Sequence, residues 1–119
     1  MYRIIIILLL LLIYGCHSSN VKDIDKLISS GRTIDIIRCA NLIGEYKKIE
    51  YIPYLFNNIE DDRVTNDLRY KGISAYQSCA EALRRLSGLE PPNKITYKLD
   101  TTIVIFYKKW AVQKKYISI

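Results

Sequence analysis

The side chains able to do chemistry are few. Cys16, Cys39 and Cys79 are the thiols of this 119-residue chain, and His17 is its single imidazole. Because His17 adjoins Cys16 near the start, the rest of the chain lacks the base of a Ser–His or Cys–His pair and any histidine metal ligand. Glu60, Asp61, Asp62 and Asp67 offer oxygen ligands of the kind a hard cation takes. They lack the Gly and the spacing of an EF-hand loop, so they read as a solvated turn. No catalytic residue, metal site, cofactor or small-molecule substrate is expected. Cys39 and Cys79 fall on apolar helix faces at equivalent repeat positions. Helices pack about 8–10 Å apart, whereas a disulfide needs Cα atoms within about 7 Å. Buried free thiols are therefore expected, with a disulfide the alternative open to an exported protein.

Cys16 has a different context. Met1-Tyr2-Arg3 is a short positive segment, and Ile4 to Ile13 is an unbroken aliphatic run. Such a run is shorter than the roughly 20 residues a bilayer span needs and has the length of a secretory signal's apolar core. The following Leu12-Ile13-Tyr14-Gly15-Cys16 resembles the bacterial lipobox, with Ile13, Gly15 and Cys16 in place and Tyr14 bulkier than is usual. That resemblance implies cleavage before Cys16, a diacylglyceryl group on its sulfur and acylation of the freed amine. Several acyl chains anchor stably where one is marginal, at about 0.8 kcal/mol per buried methylene. The other readings are a plain signal peptide or an uncleaved anchor. The expectation is a lipoprotein held at a bacterial cell membrane, with residues 1–15 as signal and 16–20 as lipidated tether. With His17 rather than Asp after the Cys, the outer membrane follows if the host is Gram-negative.

The length supports one small domain, residues 21–119. Eighteen basic and twelve acidic side chains give a net charge of +6. The two signs are interspersed, unlike the clustered basic face of a nucleic-acid-binding protein, so no nucleic-acid partner is expected.

Helical spacing recurs along the chain. Asn20 is a candidate cap for a helix carrying Val21, Ile24, Leu27 and Ile28, with Gly31 as its left-handed stop. Thr33 then caps a helix that presents Ile36, Ile37, Ala40 and Ile43 and ends at Gly44. Ala40 in that face suggests close approach to another helix. Glu50 to Glu60 reads as a third helix, with Pro53 tolerated in its first turn and Ile52, Leu55, Phe56 and Ile59 on one face. Ser74 caps the strongest helix, in which Tyr76, Cys79, Ala80, Leu83 and Leu86 form the buried stripe. Glu81 and Arg85 make an i,i+4 pair on its wet face, Gly88 ends it, and Pro91-Pro92 prevents resumption. From Asp100 to about Lys115 a helix competes with a strand, because Thr101 to Tyr107 is β-branched and aromatic. Helix is favoured, since a lone strand would have no partner.

Read together, Cys39 to Asp62 resembles a HEAT-type α-solenoid. In that family a B helix ends in a Gly-containing turn, and the next A helix carries an Ile-Pro-x-Leu core followed by an acidic turn. Gly44, Ile52-Pro53, Leu55 and Asp61-Asp62 occupy those places. Cys79-Ala80 answers Cys39-Ala40 at an offset of 40 residues, within the HEAT range. The likeness covers roughly Lys22 to Leu89, and the segment with Trp110 is similar to the C-terminal caps of short HEAT-like proteins. The loop from Asp61 to Gly72 is longer than that family's usual turn, and the units are few. The implied fold is all-α, a short HEAT-like stack of antiparallel helix pairs.

The resemblance implies a non-enzymatic protein-interaction or scaffold module with a protein partner. The alternative is an immunity or inhibitor lipoprotein that blocks one toxin or enzyme. The residues expected at the contact are Arg63, Arg69 and Tyr70, on a loop long enough to carry function, and Arg84 and Arg85. The bland alternative for the two arginines is an ordinary solvated helix face.

Overall fold

The computed structural model describes residues 22–118. The expected signal segment 1–15, Cys16, the expected tether and the expected Asn20 cap lie outside them. The fold is all-α. Residues 22–27 are helical (α1), followed by α2 (Thr33–Glu45), a 3-10 turn (Ile49–Tyr51) running into α3 (Ile52–Asn58), α4 (Ala75–Ser87) and α5 (Thr101–Gln113). The competing helix and strand readings of Thr101 to Tyr107 resolve to helix. Among the described residues no helix is long and apolar enough to cross a membrane.

α4 forms the centre. It packs most extensively against α2, next against α3, then against α5. Its interior stripe is Tyr76, Cys79, Ala80 and Leu83, all fully buried, with Ala75, Ser78 and Ala82 beside them. Against it lie Ile36, Cys39, Ala40 and Ile43 of α2, Ile52 and Leu55 of α3, and Ile103, Val104, Tyr107 and Ala111 of α5. Ile24 of α1 joins the same core. These spacings of one, three and four place each set on one helix face, so burying one stripe per helix closes a single core.

The helix ends differ from several expectations. Ser74 caps α4 as expected, its Oγ accepting from Gln77 N–H at 3.0 Å, and Asp100 caps α5 by accepting from Thr102 N–H at 2.9 Å. Arg32, not Thr33, precedes α2, and no side chain caps that helix. Its start is held instead by Ser30, whose hydroxyl donates to Asp35 at 2.6 Å. Gly31 is not among the left-handed residues, so α1 does not stop there in the expected way. Nor is Gly44 a cap. α2 continues past it to Glu45, and Lys47 supplies the left-handed residue (φ 50°) while Lys48 N–H reaches back to the Ile43 carbonyl. Lys115 (φ 64°) closes α5 in the same manner, with Tyr116 N–H bonded to the Ala111 carbonyl. Only Gly88 (φ 69°) follows the glycine rule. Pro53 sits in the first turn of α3, where its missing N–H costs nothing, and α3 stops at Asn58, short of Glu60.

The loop after α3 has a structural task at its near end. The first N–H groups of a helix have no partner within it. Those of Ala75 and Tyr76 are taken by the carbonyls of Arg63 (3.0 Å) and Asp61 (2.7 Å). The same stretch forms an isolated antiparallel bridge, Val64 to Ser74.

Candidate protein-contact face

The five expected contact residues divide into two groups. Arg63 is committed within the fold. Its guanidinium makes a forked pair with Asp61, at 2.7 Å for the closest contact, and donates to the Gly31 carbonyl at 2.8 Å, tying the loop to the α1–α2 turn. Hydrogen bonds from Arg63 hold the Asp61 carboxyl below its ordinary pKa, against the opposing effect of partial burial. Arg84 is likewise engaged, by Glu81 at 2.9 Å and Glu90 at 3.3 Å. The Glu81 partner is thus Arg84 at i,i+3 and not the expected Arg85, because Arg84 can bridge Glu81 and Glu90 together.

Arg69, Tyr70 and Arg85 form the second group. A depression bounded by α1, α2 and the loop is lined by Lys26, Arg38, Asn41, Arg69 and Tyr70, among others. A second, of about 230 Å³, lies between α2 and α4 and includes Asn41, Gly44, Gln77, Glu81 and Arg85. Asn41 lines both, so the two depressions adjoin across α2 as a strip of mixed polar and apolar lining. The α2–α4 depression is smaller than the roughly 300–1,000 Å³ of a small-molecule pocket, whereas the one beside Arg69 and Tyr70, at about 650 Å³, falls within that range and is open to solvent.

Arg69 is presented by its own loop. Asp67 accepts from the Arg69 N–H at 3.0 Å and from its guanidinium at 3.2 Å, and the guanidinium lies 5.9 Å from the Tyr70 ring centroid. That distance is within the roughly 6 Å reach of a cation–π contact. Arg38 and Asn41 are the strip's unforeseen members. Their signal was present in the polar positions opposite the apolar face of α2.

The thiols lie apart from this strip. Cys39 and Cys79 are free and fully buried. Burial raises both pKa values, and for Cys79 the nearby Cys39 and Asp61 raise it further. Neither forms a reactive thiolate readily. The carboxylates of residues 60–67 do not converge, and no three His, Cys, Asp or Glu residues among those described gather into a metal-holding group.

Comparison of this chain with family models, with curated proteins and with solved structures finds no match.

Proposed function

We propose that this protein is a lipid-anchored envelope protein that binds a protein partner through the strip on α2, the Arg69–Tyr70 loop and the edge of α4, without a reaction of its own. One observation carries the reading. Arg69, Tyr70 and Arg85, separated in sequence, line neighbouring depressions that share Asn41 of α2, the second lying over the α2–α4 interface, the most extensive of the fold. A strip of mixed lining with an adjacent Arg–Tyr pair beside packed helices matches the chemistry of contact hot spots, which are enriched in Arg and Tyr. The HEAT-like stacking and the acylated Cys16 belong to the same proposal. They rest on the sequence resemblances and on the apolar run before Cys16.

The test has two arms. A photo-crosslinker at Tyr70, with one at the exposed Thr101 as control, is activated in envelopes. A partner captured at Tyr70 alone, and lost with Arg69→Glu/Arg85→Glu, supports the contact face. Equal capture at both positions rejects it. A single captured enzyme whose activity this protein blocks would select the inhibitor reading. Separately, Cys16→Ser should leave the chain unacylated and unprocessed. Unchanged processing and mass would reject the anchor without touching the contact face.

A further inference from the structure

α5 is apolar on two sides. Ile103, Val104, Tyr107 and Ala111 bury one stripe in the core. At 100° per residue, Ile105, Lys108, Lys109 and Val112 fall on the opposite side at spacings of three, four and seven. Ile105 is 52 % exposed there, although isoleucine is among the residues most often buried. These four residues, with Gln113, line a shallow, open depression of about 380 Å³. Val112 also lines the adjoining surface of Lys115, Tyr116 and Ile117, so the apolar stripe runs on past the end of the helix.

The charge here is one-sided. From Thr101 to Ser118 the sequence carries four lysines and no carboxylate, whereas the strip on α2 mixes both signs. Lysines lay their methylene stems along apolar surface and keep the ammonium in a polar layer. An apolar stripe flanked by lysines is the arrangement of a helix lying in the plane of an anionic lipid surface, with its apolar face at the headgroup boundary.

We propose that the outer face of α5 docks on anionic phospholipid, with Ile105 and Val112 entering the headgroup layer and Lys108, Lys109 and Lys115 contacting phosphates. Charge complementarity selects this occupant. A lipid surface needs no pocket, and the face is shallow and lysine-edged where the α2 strip is concave and mixed in charge. The proposal goes beyond the protein-contact reading and needs neither that face nor acylation of Cys16.

The experiment uses the full chain on vesicles, with a photo-crosslinking residue at position 105 or, as control, at position 85 on the other face. Vesicles are phosphatidylcholine alone or with about 30 % phosphatidylglycerol, an anionic lipid. Because adducts are mapped by position, binding through the N-terminal segment does not imitate docking of α5. Lipid adducts at 105 should exceed those at 85 and appear chiefly with the anionic lipid. They should fall at least roughly thirtyfold in Lys108→Glu/Lys109→Glu, since each of the two lysines near such a surface contributes about 1 kcal/mol. They should fall likewise for the wild-type lysines at about 0.5 M salt, where screening shortens the reach of charge. That second readout stands even if the double variant fails to fold. Equal adducts at 105 and 85, or no dependence on anionic lipid or salt, would each overturn the proposal.

Discussion

A Cβ atom built on Gly44 would lie 3.0 Å from the Cα of Ala82. The glycine therefore sets the distance between α2 and α4. It lies inside α2, where glycine costs about 1 kcal/mol relative to alanine, and the close approach explains its presence. The neighbour is backbone, which cannot rotate away. Gly44→Ala is expected to destabilise the fold by about 1–3 kcal/mol through overpacking, despite the gain in helix propensity, and Gly44→Leu by more. Gly31→Ala, with nothing within 4 Å of the new atom, should stay within about 0.5 kcal/mol of wild type. Urea unfolding of the three variants checks this, and a stable Gly44→Leu would remove the close approach as the organising contact.

The buried tyrosines divide by their hydroxyls. Tyr107 donates to the Leu89 carbonyl at 2.9 Å, fastening the chain after α4 to α5. The Tyr54 and Tyr76 hydroxyls have no partner in good hydrogen-bond geometry, although Tyr54 lies beside the Cys39 thiol and Tyr76 beside the Asp100 backbone. A net hydrogen bond is worth about 0.5–1.5 kcal/mol, and an unsatisfied buried hydroxyl carries a desolvation cost. Tyr107→Phe should lose about that amount, while Tyr54→Phe and Tyr76→Phe should be neutral or stabilising. Thermal melts that rank Tyr76→Phe below Tyr107→Phe would contradict this.

Acid should weaken the fold through Asp61. Hydrogen bonds from Arg63 depress its pKa in the folded state. A carboxyl with a depressed folded pKa contributes stability that is present above its unfolded pKa of about 3.9 and is lost as pH falls through the folded value. The urea midpoint of wild type should therefore fall as pH drops below about 4. Asp61→Asn should be less stable at neutral pH and show a flatter acid limb. Parallel acid limbs would place the titration elsewhere.

Cys39 and Cys79 should resist modification in the native state, because both are fully buried and burial raises their pKa values. Alkylation mapped by mass spectrometry is expected to be slow in buffer and fast in denaturant, since the thiolate is the reactive form. Rapid native labelling of Cys79 would mean that the α2–α4 interface opens.

What the sequence determined by itself was the local order. Apolar spacing fixed which faces of α2, α3 and α4 are buried, because a stripe at three and four residues has one side to hide. Ser74, Asp100, Pro53 and Gly88 marked their helix ends, because capping and backbone restriction act within a few residues. Tertiary structure decided what depends on distant neighbours. Gly44 read as a stop and is a contact, because only the approach of Ala82 gives its missing Cβ a purpose. Lys47 and Lys115 take left-handed backbone that no local rule assigns to lysine, because the helices must end where the next segment packs. Glu81 turned to Arg84 rather than Arg85 because the chain beyond Gly88 brings Glu90 back toward the same guanidinium. Arg63, expected at a contact, bonds across to Gly31, and Arg69, Tyr70 and Arg85 came to one strip with Arg38 and Asn41. Spacing along a chain does not encode that convergence; it follows from the packing of α2 on α4.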